Sequence, residues 1–239
     1  MVTRTSQERF RTDRGVFDAF TDRNLFELQS HGVYDEVISP LFVGKESNVF
    51  IAKKGKTKLI LKIYRIQNCD FKRMFNYIKQ DPRYDFLKNK RREIIFSWTQ
   101  REYKNLLRAQ KGNVRVPKVL SWKFNIIVEE FIGDKEPAPR LKDSIPKEPQ
   151  QFFDEIIKQI ILLYKSGLIH GDLSAFNILN HHDKPVLIDF SQSTLTKTPN
   201  AEELLKRDLQ NVISFFAKLR VMADLEETLQ KIKKEATKK

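Results

Sequence analysis

A polar loop followed by a short apolar strand that ends in aspartate constrains this chain more than any other feature. The loop carries Asp172 and Asn177, five positions apart, and Asp189 follows Asn177 by twelve positions. Apolar runs at residues 177–179 and 186–188 predict the two arms of a β-hairpin. Such a hairpin brings Asn177 and Asp189 to one end, beside the loop that carries Asp172.

Two carboxylates and one amide in this arrangement suit phosphoryl transfer. Mg²⁺ binds few protein oxygens and shares the rest of its shell with phosphates, so Asn177 and Asp189 suffice as protein ligands. Asp172 can then orient the attacking group. The spacing is typical of the catalytic and metal-binding loops of kinases. The alternative is a polar surface loop beside a buried strand, and His170 is interpreted as a packed structural residue rather than a catalytic one.

Earlier in the chain, five strand-like segments predict an antiparallel sheet with one helix against it. They span residues 36–42, 48–52, 58–64, 118–123 and 125–131, and the helix spans 93–109. Lys62 lies in an otherwise apolar strand, and a buried amine needs a partner. Glu102 shares a helix face with Trp98 and Leu106 and is the expected partner. A lysine on an exposed strand face and a Glu102 in an ordinary helical ion pair are the alternatives.

Two connections within this half of the chain also bear on function. The turn at residues 44–49 contains small residues, which let backbone N–H groups approach phosphate, although an ordinary hairpin turn fits as well. Residues 66–92 lack a strand period and are interpreted as a long, partly helical insertion.

The chain is predicted to be α+β, with a helical extension at residues 1–35, a sheet-containing lobe at 36–132 and a mostly helical lobe at 133–239. Within the second lobe a buried helix is expected at 150–166. Asn200, with Glu203 three residues later, predicts the capped start of another helix. A last helix is expected over 223–234. Asp208, on or near an apolar helix face, could accept hydrogen bonds from the catalytic-loop backbone; a solvent-facing aspartate is the alternative.

The formal net charge of +13 favours polyanionic partners such as RNA or ribonucleoprotein, although basic runs are also common on solvated surfaces and tails. The single cysteine, Cys69, excludes an internal disulfide and fits a reducing compartment. No apolar run approaches the length needed to span a membrane. We therefore expect a cytoplasmic protein with no membrane or disulfide partner.

Taken together, the chain resembles the RIO family of atypical serine protein kinases, and its type-one branch in particular. The resemblance rests on motifs that extend through residues 16–216: Gly44–Phe50, Leu61–Arg65, Glu102–Leu106, Glu130–Gly133, Pro137–Leu141, His170–Leu179, Ile188–Gln192 and Arg207–Asp208. It implies a two-lobed protein-kinase-like fold that binds ATP with Mg²⁺ or Mn²⁺. The N-lobe would contain a five-stranded antiparallel sheet plus a helix, and the C-lobe would be reduced and mostly helical.

The resemblance also implies individual roles. Lys62, paired with Glu102, would hold the α and β phosphates, and Asp172 would orient or deprotonate the acceptor hydroxyl. Asn177 and Asp189 would be metal ligands, and the backbone of Glu130 and Ile132 would bind adenine. The nucleotide-covering loop would contribute Val43, Lys45, Glu46, Ser47 and Val49. The family phosphorylates serine, including its own, and acts in maturation of the small ribosomal subunit, so a precursor particle or its RNA is the expected partner.

Some residues depart from the kinase pattern. Ser191 replaces the glycine that follows Asp-Phe in most kinases, and the insertion at 66–92 contains no Ser or Thr, so self-phosphorylation there requires another acceptor. Glu129 is an unexpected acidic residue beside adenine. A nucleotide-switched ribosome-assembly scaffold and a small-molecule kinase of the aminoglycoside or choline type remain alternative functions, although the latter usually has a larger, acidic C-terminal lobe.

Overall fold

The computed structural model describes residues 17–67 and 69–237, which form an α+β fold. The helices are α1 (Ala19–Ser30), α2 (Phe71–Ile78), α3 (Arg91–Lys111), α4 (Pro149–Lys165), α5 (Ala201–Ala217) and α6 (Leu225–Thr237), with a 3₁₀ turn at Pro82–Tyr84. The strands are β1 (Glu36–Val43), β2 (Ser47–Lys54), β3 (Thr57–Tyr64), β4 (Val119–Lys123), β5 (Ile126–Glu130), β6 (Leu168–Ile169), β7 (Ile178–Asn180), β8 (Pro185–Leu187) and β9 (Thr194–Leu195).

The chain divides into two compact units. Unit 1 contains the described residues up to Lys79, together with Phe86–Tyr103 and Val119–Phe131. Unit 2 contains Gln80–Asp85, Lys104–Lys118 and the chain from Ile132 onward. The short Gln80–Asp85 segment of the insertion therefore belongs to the same unit as the catalytic loop.

Unit 1 is built on the predicted five-stranded antiparallel sheet, with strand order β1-β2-β3-β5-β4. The alternation of β2 and the apolar run of β3 supply its core, which contains Phe50, Leu61 and Val128. Helix α1 adds Leu25 and Leu28 to the same core. The N-terminal extension is thus packed on the sheet from α1 onward, and its predicted part before residue 17 lies outside the described residues.

Helix α1 begins and ends as its sequence dictates. The Asp18 carboxylate accepts a hydrogen bond from the Thr21 N–H at 2.8 Å and caps the N-terminus. After the helix ends, Gly32 takes a φ of +67°, a conformation that favours glycine. Helix α1 therefore ends at Ser30, just before this glycine.

Unit 2 is mostly helical. Phe152 and Phe153 of α4 pack against Phe216 of α5, with ring centroids 6.2 and 5.4 Å apart. The predicted hairpin is present as β7 and β8, with Ile178 opposite Leu187. Its connection uses positive φ at both His182 and Asp183, which is the backbone of a two-residue type I′ turn.

One predicted local interaction is wrong. Asn200 occupies the N-cap position of α5, but its side chain makes no capping hydrogen bond. Its Nδ2 instead donates to Oε1 of Gln80 at 2.7 Å, so a contact distant in sequence replaces the predicted capping box. Over the two described ranges, no helix combines the length and the apolar character needed to cross a membrane.

Candidate active site

The predicted lysine–glutamate pair is present in unit 1. Nζ of Lys62 lies 2.6 Å from Oε1 of Glu102, and both side chains are buried. Tyr64, two residues along the same strand, donates its hydroxyl to Oε2 of Glu102 at 2.6 Å. Because both carboxylate oxygens of Glu102 have donors, the ammonium is held in a defined place among apolar neighbours.

The turn between β1 and β2 brings the backbone close to itself at Gly44. Its N–H donates to the Ser47 carbonyl at 2.9 Å, and a Cβ on Gly44 would lie 2.9 Å from that oxygen, so a glycine is required. Lys45 is exposed on this turn, while Glu46 and Ser47 are half-buried.

The residues expected to meet adenine lie at the end of β5 and just after it. In unit 1, Glu130 is the last residue of β5 and pairs with Leu59. In unit 2, the carbonyl of Ile132 accepts a hydrogen bond from the Ala138 N–H at 2.9 Å. Glu129 is buried and belongs to the sheet, where it lies opposite Ile60.

In unit 2, side-chain amides hold Asp172 of the predicted catalytic loop, residues 170–177. Nδ2 of Asn177 donates to the Asp172 carbonyl at 2.8 Å and lies 3.4 Å from its Oδ2. Nε2 of Gln192 donates to the same Oδ2 at 3.0 Å. The amide nitrogen of Asn177 is thus committed to Asp172, which leaves its oxygen as the group that can bind a cation.

Asp189 is brought to the same end of the hairpin as Asn177. The N–H of Ile188 donates to the Asn177 carbonyl at 3.0 Å, which places residue 189 directly beyond the pairing. Asp189 itself has a φ of +63°, an unfavourable conformation for a residue with a Cβ. His170 supports the preceding residue, because its Nε2 lies 3.0 Å from the Ile188 carbonyl and its ring packs on Phe190. His170 is therefore a packed residue, as predicted.

Side chains of helix α5 hold the predicted catalytic loop through hydrogen bonds to its backbone. The carboxylate of Asp208 accepts hydrogen bonds from the backbone N–H groups of Gly171 at 2.7 Å and Leu173 at 2.8 Å. Arg207 donates to the Gly171 carbonyl, and Asn211 donates to the Leu173 carbonyl at 3.1 Å. The prediction that Asp208 accepts from the catalytic-loop backbone is confirmed.

Burial raises the pKa of Asp208 from 3.8 to about 7, against the opposing effect of its backbone donors and of Arg207. Between pH 4 and 7 the folded state therefore holds a proton that the unfolded state has lost. We expect this group to lower the free energy of unfolding as pH rises through that window, by at most about 1.4 kcal/mol per pH unit.

Chemical denaturation of the wild type and of Asp208→Asn across this window tests the prediction. The Asn variant cannot titrate at this position, so the stability difference, wild type minus variant, should fall as pH rises. A difference that stays constant over the same pH range contradicts it.

Three residues of the site were not singled out from sequence. Tyr64 reads from the sequence as one more residue of an apolar strand, although its alternation with Lys62 places both on one face. Gln192 and Asn105 act through contacts with residues distant in sequence, and one chain alone gives no signal for such pairs.

A sheet of five antiparallel strands with a paired lysine and glutamate, and a hairpin-bound Asp…Asn…Asp loop, define a protein-kinase-like class. Comparison with known proteins makes the class specific. A family model described as RIO domain matches residues 48–229. The RIO-type serine/threonine-protein kinase Rio1 of Methanocaldococcus jannaschii is 42% identical over 216 residues, covering 90% of this chain and 74% of the archaeal protein. Rio1 of Haloferax volcanii is 36% identical over 219 residues, covering 91% and 76% of the respective chains.

Solved structures agree in fold. The Rio2 kinase of Chaetomium thermophilum superposes with a TM-score of 0.68 at 24% identity, and the match covers 86% of this chain and 64% of the Rio2 chain. The chain belongs to the RIO family of atypical serine/threonine-protein kinases. The family predicted from the motifs is therefore confirmed, and the Rio1 names of these relatives agree with the type-one branch.

Proposed function

We propose that this chain transfers the γ-phosphoryl group of ATP, with Mg²⁺, to serine or to water, and that it acts in maturation of the small ribosomal subunit. The observation that carries the proposal is the state of the Asp172 carboxylate. Its Oδ2 lies 3.4 Å from Nδ2 of Asn177 and accepts a hydrogen bond from Nε2 of Gln192 at 3.0 Å, so side-chain amides fix its orientation. A carboxylate held in this way keeps its orientation and remains able to accept a proton.

The donor set fits the proposed metal. The amide oxygen of Asn177 and the carboxylate of Asp189 are hard oxygen ligands, and Mg²⁺ takes few of these from protein when phosphates supply others. When bound, the metal neutralises charge on the phosphate oxygens. Manganese has the same preference for oxygen and serves as its experimental substitute.

The proposal assigns the other residues to nucleotide binding and assigns Asp172 to proton transfer. Lys62, fixed by Glu102, holds the α and β phosphates, and the backbone of Glu130 and Ile132 binds adenine. Lys45, Glu46 and Ser47 cover the phosphates, and Val43 and Val49 of the same loop contact the nucleotide. Asp172 accepts the proton of the attacking hydroxyl as the bond to the γ phosphorus forms and the bond to ADP breaks.

Hydrolysis through an aspartyl phosphate is a second candidate. A Rio2 structure is described as a complex with ADP, Mg²⁺ and phosphoaspartate. If this chain does the same, a carboxylate oxygen attacks the γ phosphorus and ADP leaves. Water then cleaves the acyl phosphate and regenerates the aspartate. Radiolabel from γ-labelled ATP that hydroxylamine removes from the protein would support this route, whereas label stable to hydroxylamine indicates a phosphoserine.

The proposed ribosomal partner rests on the family and on the net charge of +13. The test is ATP turnover and serine phosphorylation measured with and without precursor RNA of the small subunit, together with co-sedimentation at low salt. We expect RNA to change the turnover rate and the protein to co-sediment with the particle. Turnover that RNA leaves unchanged, with no co-sedimentation at low salt, contradicts the ribosomal role but leaves the chemistry in place.

A further inference from the structure

The loop that carries Asp189 is held in a costly backbone conformation and needs support on both sides. Asp189 has a φ of +63°. A residue with a Cβ adopts this region only when its surroundings fix it there. The His170 ring supports the preceding residue, as described above. The residues after Asp189 are supported by a side chain that has no role in the proposed catalytic mechanism.

That residue is Asn105, which is fully buried in the C-terminal half of α3. Its Nδ2 donates to the Ser193 carbonyl at 2.8 Å and to the Phe190 carbonyl at 3.3 Å. One amide group therefore holds two carbonyls within the four residues that follow Asp189. Its Oδ1 points the other way, where an arginine donates to it.

The arginine is Arg83, from the Gln80–Asp85 segment of the insertion. Its Nη2 donates to Oδ1 of Asn105 at 3.1 Å. The same guanidinium binds both oxygens of the fully buried Asp81, with Nη2 2.6 Å from Oδ2 and Nε 2.9 Å from Oδ1. A bidentate pair fixes the plane of the guanidinium, and the guanidinium in turn fixes the direction of the Asn105 amide.

We propose that Asn105 is a positioning residue for Asp189 and that the Asp81–Arg83 pair of the insertion, acting through Asn105, sets the metal affinity of the site. The inference rests on the proposed function, because it takes Asp189 as a metal ligand. The insertion is then a control element. Displacement of Gln80–Asp85 by a bound partner frees the amide, loosens the loop after Asp189 and weakens metal binding without removing a ligand.

The test measures Mn²⁺ affinity in the presence of a saturating, non-hydrolysable ATP analogue, by the electron paramagnetic resonance signal of free Mn²⁺. Arg83→Ala should weaken Mn²⁺ binding about tenfold, the usual effect of losing a charge-assisted hydrogen bond. The double variant Asp81→Asn/Arg83→Ala, which leaves no unpaired buried carboxylate, should show the same weakening and guards against loss of folding by the single variant. Lys88→Ala removes one exposed positive charge from the same insertion and should leave the affinity unchanged.

Asn105→Leu tests whether Arg83 affects metal binding through Asn105 or through a general loss of stability. This near-isosteric variant should weaken Mn²⁺ binding at least as much as Arg83→Ala. Adding Arg83→Ala to it should weaken binding no further, because the arginine acts through the amide. Affinity for the metal-free nucleotide should stay the same in every variant, a result that a merely structural role does not predict.

Three results are decisive. If the losses of Mn²⁺ affinity caused by Arg83→Ala and by Asn105→Leu multiply in the double variant, the arginine does not act through Asn105 and the proposed route is overturned. The role of the insertion is overturned if Arg83→Ala and the Asp81→Asn/Arg83→Ala variant bind Mn²⁺ as tightly as Lys88→Ala does. The proposed function stands in that case. A wild-type protein that binds no Mn²⁺ with the ATP analogue contradicts the proposed function itself, and the inference fails with it.

Discussion

Asp172→Ala is expected to lower phosphoryl transfer, both to serine and to water, by about 10²–10⁴-fold, the range over which a positioned acid or base contributes. ATP should still bind, because Asp172 contacts neither the base nor a phosphate in the proposed arrangement. The half-buried carboxylate is held by Asn177 and Gln192, so removing it leaves two amide donors that water can reach. The measurements are single-turnover transfer from γ-labelled ATP and the dissociation constant of an ATP analogue.

Ser174→Ala serves as the matched control. It removes a hydroxyl from the same loop, and that hydroxyl accepts a long hydrogen bond from the Phe176 N–H at 3.4 Å. It should leave the transfer rate nearly unchanged. Kinase and ATPase rates in Asp172→Ala equal to those of the wild type contradict the role given to this carboxylate.

Lys62→Ala is expected to affect both catalysis and stability. The ammonium contacts a buried carboxylate whose second oxygen is bound by Tyr64. Removing the lysine leaves the buried Glu102 carboxylate without its counter-ion, and breaking a buried ion pair in this way costs about 3–5 kcal/mol. Productive nucleotide binding should weaken as well, since Lys62 is the proposed ligand of the α and β phosphates. Denaturant unfolding and ATP titration measure the two effects.

A second substitution separates those effects. Lys62→Ala/Glu102→Gln removes the orphaned charge, so it should recover much of the lost stability while nucleotide binding stays weak. Lys56→Ala, in the exposed turn before β3, is the control for loss of one positive charge from the sheet. An unaltered dissociation constant for ATP in Lys62→Ala counts against the phosphate-binding role.

The strands and helices of the site could be predicted because their signals are local, and a polar side chain in an apolar segment also shows that it needs a partner. The apolar run around Lys62 predicts a buried strand, and a buried amine requires a carboxylate. The face shared by Trp98, Glu102 and Leu106 then supplies it. The same reasoning located the β7–β8 hairpin and the contact between Asp208 and the catalytic loop.

The remaining errors and omissions have a common physical cause. The Asn200–Glu203 spacing is a regular capping signal, yet Gln80, 120 positions earlier, takes the Asn200 side chain. Asn105 looks like an ordinary polar helix residue until residues 190 and 193 are folded against it. Unlike Lys62 in its apolar strand, neither side chain shows from the sequence that it needs a distant partner, so these two contacts cannot be deduced from periodicity and spacing.

The central claim is that Asn177 and Asp189 together bind a divalent cation that also contacts the phosphates of ATP. Crystals grown or soaked with Mn²⁺ and a non-hydrolysable ATP analogue test it through the anomalous scattering of manganese. We predict one strong peak within coordination distance of Oδ1 of Asn177, of the Asp189 carboxylate and of a phosphate oxygen. Nucleotide density without an anomalous peak at these two side chains, or with manganese bound elsewhere, contradicts it.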